Sequence, residues 1–82
     1  MTDHILEFPK NTHEVVRIAV TEFRGRTYGD IRVYYEAEDG EWRPSRKGLT
    51  LAPDLIPELR EGLEALEREL RNRELIEDDD GE

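Results

Sequence analysis

The strongest constraint on the fold is a change in the spacing of apolar residues at Pro53. Before it, from Val15 to Leu51, apolar and polar residues largely alternate, which is typical of strands that bury one face. After it, leucines recur every three or four residues, which is typical of an amphipathic helix. Together the two patterns predict an α+β domain in which antiparallel strands precede one C-terminal helix.

Turn residues divide the alternating part into four strands. Arg24-Gly25 and Asp39-Gly40 are tight-turn pairs in which glycine tolerates a positive φ. Such short connections join antiparallel neighbours and predict a curved four-stranded meander. The predicted strands are Val15 to Phe23, Arg26 to Ala37, Glu41 to Pro44 and Gly48 to Leu51.

The helical part begins after Pro53. Asp54 is expected to cap the helix, which places Pro57 in the first turn, where proline is tolerated. The apolar stripe covers an arc of about 100° and ends before Leu75. Its members are Leu55, Ile56, Leu59, Leu63, Leu66 and Leu70.

The small size of the chain favours self-association. A chain of 82 residues buries a limited share of its surface, and the absence of cysteine excludes disulfides and thiolate metal sites. The leucine stripe could pack on the sheet of its own chain or against the helix of a second copy. Composition alone leaves both arrangements open.

The expected domain organisation has three parts. Residues 1–14 are interpreted as a flexible, loop-like N-terminal arm, residues 15–76 as the folded domain and residues 77–82 as a disordered acidic tail. No secretory signal or membrane-spanning run is evident, so we expect a cytoplasmic protein without membrane contact.

The charge is unevenly distributed along the chain. A net charge of −9 disfavours a nucleic-acid partner at first sight. However, residues 15–51 carry seven basic and six acidic side chains, whereas residues 54–82 carry four and twelve. Ten of the twelve basic residues are arginine, which suits phosphate contact and stacking on bases. The strand region is therefore compatible with nucleic-acid binding.

No arrangement of residues predicts an enzyme. His4 and His13 are the only histidines and fall in the predicted arm, and the single serine, Ser45, has no signature that pairs it with a base. No phosphate-binding glycine loop is present, and the aspartates at 78–80 are expected to be a solvated tail. We therefore expect no catalytic residue, no metal and no cofactor.

Aromatic and basic residues are interleaved between Phe23 and Lys47. Unpaired bases stack on rings while cations contact phosphates, so this mixture on a small sheet is typical of single-strand binding. For any one aromatic residue a place in the core is the simpler interpretation, and the hypothesis rests on the cluster. The cluster comprises Phe23, Arg24, Arg26, Arg32, Tyr34, Tyr35, Trp42, Arg43, Pro44, Arg46 and Lys47.

This region resembles the C-terminal domain of transcriptional positive cofactor 4, a family of single-stranded-DNA-binding coactivators. The spacing of the shared motifs is kept without gaps across nearly the whole predicted domain. The motifs are F-[KR]-G-[KR] at 23–26, D-I-R at 30–32, an aromatic pair at 34–35 and [KR]-P-x-R-K-G at 43–48. The sequence lacks the family's serine-rich and lysine-rich N-terminal region, so we expect the bare domain of bacterial or archaeal members.

The resemblance implies a homodimer and a set of site residues. The helices would pair across a two-fold axis through Leu55, Leu59, Leu63, Leu66 and Leu70. Phe23 and Tyr35 would stack on bases, and Pro44 would shape the ridge beside them. The phosphate contacts would be Arg24, Arg26, Arg32, Arg43, Arg46 and Lys47. Because Arg32 and Tyr35 would face opposite ways in a regular strand, the second strand is expected to be bulged or strongly curved near Gly29.

The leading hypothesis is a dimeric, largely sequence-nonspecific single-stranded DNA-binding protein, nucleoid-associated, that acts in transcription regulation as a coactivator or in DNA repair or replication. RNA and melted duplex are alternative ligands. A second hypothesis is a protein-interaction module that uses the acidic helix and tail, with the transcription machinery as partner. A third is that the tail competes with nucleic acid for the basic face.

Overall fold

The computed structural model describes residues 2–77 and has two layers, an open antiparallel sheet and one helix on one face of it. The strands are adjacent in chain order, as the predicted meander requires, and the α+β fold class is confirmed. Residues 78–82 of the predicted tail lie outside the described range. The elements are β1 (Thr2–Asn11), β2 (Glu14–Phe23), β3 (Arg26–Glu36), β4 (Trp42–Leu51), a short 3-10 helix (Pro53–Leu55) and α1 (Ile56–Asn72).

The N-terminal residues form the edge strand β1, and the prediction of a loop-like arm over residues 1–14 is wrong for this stretch. Leu6 of β1 lies opposite Ile18 of β2. Two irregularities explain why the sequence did not predict this strand. Ile5 is an extra residue in the register, and Pro9 suggested a turn. Proline is accommodated here because an edge strand can leave one side of its backbone unpaired.

Both predicted hairpin turns are present. Arg24 and Gly25 have φ values of 54° and 78°, the positive values that a two-residue type I′ turn requires. Gly40, with φ 84°, supplies the left-handed residue of the second hairpin. The first turn sets the register of β2 against β3 by placing Phe23 opposite Arg26.

The two short strands predicted before the helix are one strand, β4, with a bulged segment. Pro44 pairs with Tyr34 and Gly48 pairs with Arg32, so four steps along β4 oppose two along β3. In contrast, β3 pairs with β2 without interruption. The irregularity expected in the second predicted strand therefore lies in its neighbour, and Gly29 does not cause it.

Gly29 instead provides space for the helix. A Cβ atom at this position would lie 2.9 Å from Cδ1 of Ile56, closer than real Cβ contacts allow. The N-terminal part of α1 lies over the face of the sheet that carries Ile18 and Ile31, which we call the helix-side face. Close approach of the helix to the strand backbone therefore explains why glycine stands in a β-strand.

The helix begins later than predicted. Residues 53–55 form the 3-10 helix, α1 starts at Ile56, and no side chain caps either element, so the assignment of Asp54 as the helix cap is wrong. Pro57 lies in the first turn as predicted. Leu75 lies beyond the helix and is exposed, in agreement with the predicted end of the stripe. No helix within residues 2–77 is long and apolar enough to cross a membrane.

A single chain buries very little. Among the described residues, Ala19 is the only apolar side chain that is fully buried, with 4% exposure. Leu63 and Leu66 of the predicted stripe are 51% and 53% exposed, although α1 packs on the sheet. Ile5 of β1 is also exposed. It lies at an apolar gap between the sheet and the start of α1. The helix therefore covers only part of the helix-side face, and two of its four stripe leucines remain exposed.

Candidate nucleic-acid interface

The face of the sheet turned away from α1, which we call the open face, is formed by alternate residues of each strand. Successive side chains of a strand point to opposite faces, and the register places odd residues of β2 beside even residues of β3. A concave hollow of about 440 Å³ lies on this face. It is lined by Thr2, Thr21, Phe23, Tyr28, Asp30, Arg32, Tyr34, Pro44 and Thr50.

Phe23 and Arg24 lie together at the tip of the β2–β3 hairpin. The Phe23 side chain is 61% exposed, and the Arg24 guanidinium carbon lies 5.1 Å from the centre of its ring. The type I′ turn holds Arg24 in the left-handed conformation that allows this approach. The structure thus brings together an exposed ring and a cation, the two groups that single-strand binding uses.

Arg32 is committed to contacts within the protein. Its Nε and Nη2 atoms donate to the two carboxylate oxygens of Asp30 at 3.1 and 2.9 Å. Nη2 also donates to Thr50 Oγ1 at 3.0 Å, and Nη1 donates to the Ser45 carbonyl at 3.0 Å. Four of the five donors of a guanidinium are therefore used. The structure places Arg32 in the hollow, but as a link between β3 and β4.

The charge of Asp30 is stabilised by the same contacts. Burial acts to raise the pKa of Asp30, but hydrogen bonds from Arg32 and Thr50 and the nearby positive charge outweigh burial and lower the pKa overall. Thr50 Oγ1 donates to Asp30 Oδ1 at 2.7 Å. Hydrogen bonding to Asp30 in turn raises the pKa of Arg32. The floor of the hollow is consequently an ion pair with little net charge.

The bulged segment of β4 is held in one conformation by several hydrogen bonds. Ser45 Oγ donates to the Val33 carbonyl at 2.7 Å and accepts from the Lys47 amide at 3.1 Å. A Cβ atom at Gly48 would lie 2.4 Å from the Ile31 carbonyl oxygen, so the backbones approach each other closely. In this conformation the side chains of Arg46 and Lys47 are exposed to solvent.

The remaining cations that were predicted to contact phosphate differ in whether they form ion pairs within the protein. Within residues 2–77, Arg26 and Arg46 form no ion pair. Lys47 Nζ lies 3.7 Å from Glu14 Oε2, and Arg43 Nη2 lies 2.5 Å from Asp39 Oδ2. Arg26 and Arg46 are therefore the cations most available to an anionic ligand.

Glu14 is held ionised beside this group of cations. Hydrogen bonds from Asn11 (2.8 Å) and Lys10 (3.1 Å) lower the pKa of Glu14, and the charge of Lys47 contributes further. The start of β2 thus supplies an anion that partly neutralises Lys47.

Tyr35 does not share the hollow with Phe23. It is exposed and borders a second, more open concavity at the β3–β4 hairpin, together with Asp39 and Arg43. Because β3 is regular beside β2, Arg32 and Tyr35 lie on opposite faces of the sheet. The structure therefore brings Phe23, Arg32 and Pro44 to one hollow and leaves Tyr35 and Arg43 at another.

Tyr28 and Tyr34 line the same hollow as Phe23, and neither was among the predicted site residues, although Tyr34 belongs to the aromatic and basic cluster of the sequence. The Arg17 guanidinium carbon lies 4.5 Å from the centre of the Tyr34 ring, and the His4 ring meets it edge-on at 5.6 Å. A signal for this was present in the sequence. A two-residue turn at 24–25 places Phe23 opposite Arg26 and hence on the same face as Tyr34.

Comparison with known proteins identifies the family. The family described as Transcriptional Coactivator p15 (PC4) matches residues 10–62, more than half of the chain. The chain belongs to the PC4 family. The family assignment made from the motifs is thus confirmed, and β1 up to Pro9 lies outside the PC4 match.

Individual PC4 relatives agree with this assignment. The RNA polymerase II transcriptional coactivator SUB1 of Saccharomyces cerevisiae is 39% identical over 59 residues, which are 71% of this chain. The chain spans about a fifth (19%) of the length of that relative. The match therefore leaves most of the yeast protein unmatched.

Solved PC4 structures share the fold. A crystal structure of BPSL1147, a PC4 homolog from Burkholderia pseudomallei K96243, has a TM-score of 0.77 and 28% identity, covering 82% of this chain and 98% of the other. The bacteriophage T5 homolog of the eukaryotic coactivator PC4, implicated in recombination-dependent DNA replication, has a TM-score of 0.62 and 27% identity. It covers 90% of this chain and 82% of the other.

Proposed function

We propose that this PC4-family chain is a homodimeric, largely sequence-nonspecific single-stranded DNA-binding protein without catalytic activity. The observation that carries the proposal is the open face, where an exposed phenylalanine and two tyrosines line one concave hollow, with Arg24 and Arg26 next to the phenylalanine at the β2–β3 hairpin. Bases can stack on these rings while their phosphates contact the cations. Such contacts need no particular base, so sequence specificity is expected to be low.

The distribution of charge supports an anionic ligand on this face. Arg24, Arg26 and Arg46 lie on the turns and strands of the sheet, whereas the acidic residues concentrate in and after α1. A phosphate backbone that approaches the sheet therefore meets positive charge locally although the whole chain is acidic. The acidic residues of α1 lie on the other layer.

The exposed leucines support the homodimer. A surface that combines Leu63, Leu66 and Ile5 is unusual for a small monomer with so little buried apolar area. Pairing of two copies through α1 would cover this surface on both at once. The predicted interface of Leu55, Leu59, Leu63, Leu66 and Leu70 remains part of the proposal.

The role in the cell is proposed from the relatives. The yeast relative is named as an RNA polymerase II coactivator and the phage relative is implicated in DNA replication. Both processes produce unpaired strands, so stabilisation of such strands is the activity that they have in common. We propose a function in transcription regulation or in replication and repair, with the transcription machinery as a protein partner.

A binding titration tests the proposal. Fluorescence anisotropy with labelled oligo-dT and with a duplex of the same length is measured at two salt concentrations. We expect tighter binding to the single strand and a slope of log K against log salt of about −0.7 per phosphate contacted. An oligo-rU arm decides between DNA and RNA as the preferred strand.

Two charge variants provide the matched comparison. Arg46→Gln removes an exposed cation from the bulged segment of β4, and Arg68→Gln removes one from the surface of α1. We expect the first to weaken binding and reduce the salt slope and the second to leave both unchanged. Absence of oligo-dT binding by the wild type at low salt would overturn the proposed function.

A further inference from the structure

We infer that Glu7 of β1 limits the nucleic-acid path on the open face by occupying Arg17, a cation that would otherwise contact phosphate. The inference rests on the proposed binding of single-stranded nucleic acid and names a residue that restricts its contacts. Arg17 Nε donates to Glu7 Oε1 at 2.8 Å. Carboxylate and phosphate oxygens bind a guanidinium in the same way, so Glu7 takes the place of a phosphate.

The register places Arg17 on the open face, within reach of a bound strand. It lies directly opposite Arg32 of β3, which lines the open-face hollow. Its guanidinium carbon lies 4.5 Å from the centre of the Tyr34 ring, and Tyr34 lines the same hollow. Opposed residues of neighbouring strands share one face. A strand bound in the hollow therefore passes beside Arg17.

The two opposed arginines each have a carboxylate partner but use their donors differently. Asp30 pairs with Arg32, and Glu7 pairs with Arg17. The guanidinium of Arg32 uses four of its five donors within the protein. Within residues 2–77, the guanidinium of Arg17 forms a hydrogen bond through Nε alone. The terminal nitrogens of Arg17 therefore remain able to bind an anion if Glu7 does not repel it.

The exposure of the pair determines which charge an incoming strand meets. The side chain of Arg17 is 19% exposed, whereas that of Glu7 is 52% exposed. A phosphate that approaches from the β1 edge thus meets the carboxylate before the cation. Like charges at this distance repel, and the pair as a whole carries no net charge to attract an anion. The expected path avoids the β1 edge and follows the strands β2 to β4.

The limiting residue and the limited one come from different parts of the chain. Arg17 lies within the segment that matches the PC4 family, and Glu7 lies in the part of β1 that precedes the match. Pairing of β1 with β2 sets Glu7 opposite Arg17. A strand outside the matched segment thereby determines whether a cation inside that segment is available to a ligand.

The test compares Glu7→Gln with Asp3→Asn, each titrated with oligo-dT by fluorescence anisotropy at several salt concentrations. Both variants remove one negative charge from β1, but Asp3 lies opposite Val20 and hence on the helix-side face. We expect Glu7→Gln to tighten binding at low salt by about 1.5- to 5-fold, the range for an exposed ion pair. Its slope of log K against log salt should steepen by about 0.7, which corresponds to one further phosphate. Asp3→Asn should keep the wild-type slope.

The double variant Glu7→Gln/Arg17→Gln shows whether the gain depends on Arg17. We expect its salt slope to return to the wild-type value. Equal slopes for Glu7→Gln and Asp3→Asn, with a wild type that binds oligo-dT, would overturn this inference alone. A steeper slope that persists in the double variant would also overturn it. Absence of oligo-dT binding by both the wild type and Glu7→Gln at low salt would instead overturn the proposed function, and this inference with it.

Discussion

Arg32 and Asp30 form a two-point ion pair on the open face, with nitrogen–oxygen distances of 3.1 and 2.9 Å. The pair lies within one strand, two residues apart, and is extended to the neighbouring strand through Ser45 and Thr50. A residue that the motifs assign to phosphate contact therefore also stabilises the β3–β4 pairing. Its contributions to binding and to folding can be separated by experiment.

We expect Arg32→Leu to lower the free energy of unfolding by about 1–3 kcal/mol, because it leaves the half-buried Asp30 carboxylate without its charged partner. Urea unfolding of the wild type, Arg32→Leu and Arg46→Gln measures this, with Arg46→Gln expected to be as stable as the wild type. The salt slope of oligo-dT binding should fall in Arg46→Gln and remain unchanged in Arg32→Leu. A lower slope and unchanged stability in Arg32→Leu would show that this arginine contacts phosphate directly.

Acid is expected to destabilise the fold partly through Asp30. The pKa of Asp30 is lower in the folded protein than its ordinary value of 3.8, so the unfolded chain takes up the proton first. The stabilisation is present above pH 3.8 and is lost as the pH falls through the folded-state pKa. Urea midpoints measured from neutral to acidic pH should fall more steeply for the wild type than for Asp30→Asn. Parallel profiles for the two proteins would contradict this assignment.

Three glycine positions are expected to respond differently to alanine. Gly48→Ala should destabilise by about 1–3 kcal/mol, because its Cβ would meet the backbone of Ile31 and Arg32 at 2.4 and 2.8 Å. Gly29→Ala should cost less, since the end of the flexible Ile56 side chain can move. Gly62→Ala, in α1 with open space around it, should stabilise by about 0.5–1 kcal/mol.

Thermal unfolding ranks the three glycine variants. The order Gly62→Ala, Gly29→Ala, Gly48→Ala from highest to lowest midpoint follows from what each new methyl group would touch. Equal stability of Gly48→Ala and the wild type would contradict the close approach of β4 to β3.

The dimer proposal predicts an unusual effect of surface leucines. Leu66 is about half exposed in the single chain, so its replacement by glutamate would be nearly neutral in a monomer. In a dimer joined through α1, Leu66→Glu should shift sedimentation towards a monomer and lower the unfolding midpoint. Leu75→Glu is the matched control, because Leu75 is 70% exposed and lies beyond the helix. Identical behaviour of the two variants would contradict an interface through the leucine stripe.

The sequence predicted those parts of the fold that depend on local patterns. Residues close together in the sequence determine the alternation of β2, the turn at Arg24-Gly25 and the leucine spacing of α1, so each of these could be predicted. β1 was missed because the extra residue Ile5 and the edge-strand Pro9 interrupt a pattern that only pairing with β2 completes. β4 was divided in two for a similar reason, since its bulge has no periodic signature of its own.

The site was predicted to a smaller extent, because it depends on register and on distant contacts. The motifs identified Phe23 and Arg24, which the structure places together at the β2–β3 hairpin, and Pro44, which lines the open-face hollow. They could not indicate that Arg32 bonds to Ser45, thirteen residues away. The location of Tyr34 on the same face as Phe23 follows from the type I′ turn, whereas the resemblance implied Tyr35. Strand parity was the more informative signal at this position.

The scarcity of buried side chains has a consequence for the supply of active protein. If each subunit completes the other's apolar layer, folding becomes a second-order process, and the folded fraction rises with the amount of chain synthesised. Newly made or diluted copies would then be exposed to proteases until they meet a partner. Ala19 is the only fully buried apolar side chain among residues 2–77. Doubling the amount of chain synthesised should therefore more than double the amount of folded protein that can bind a strand.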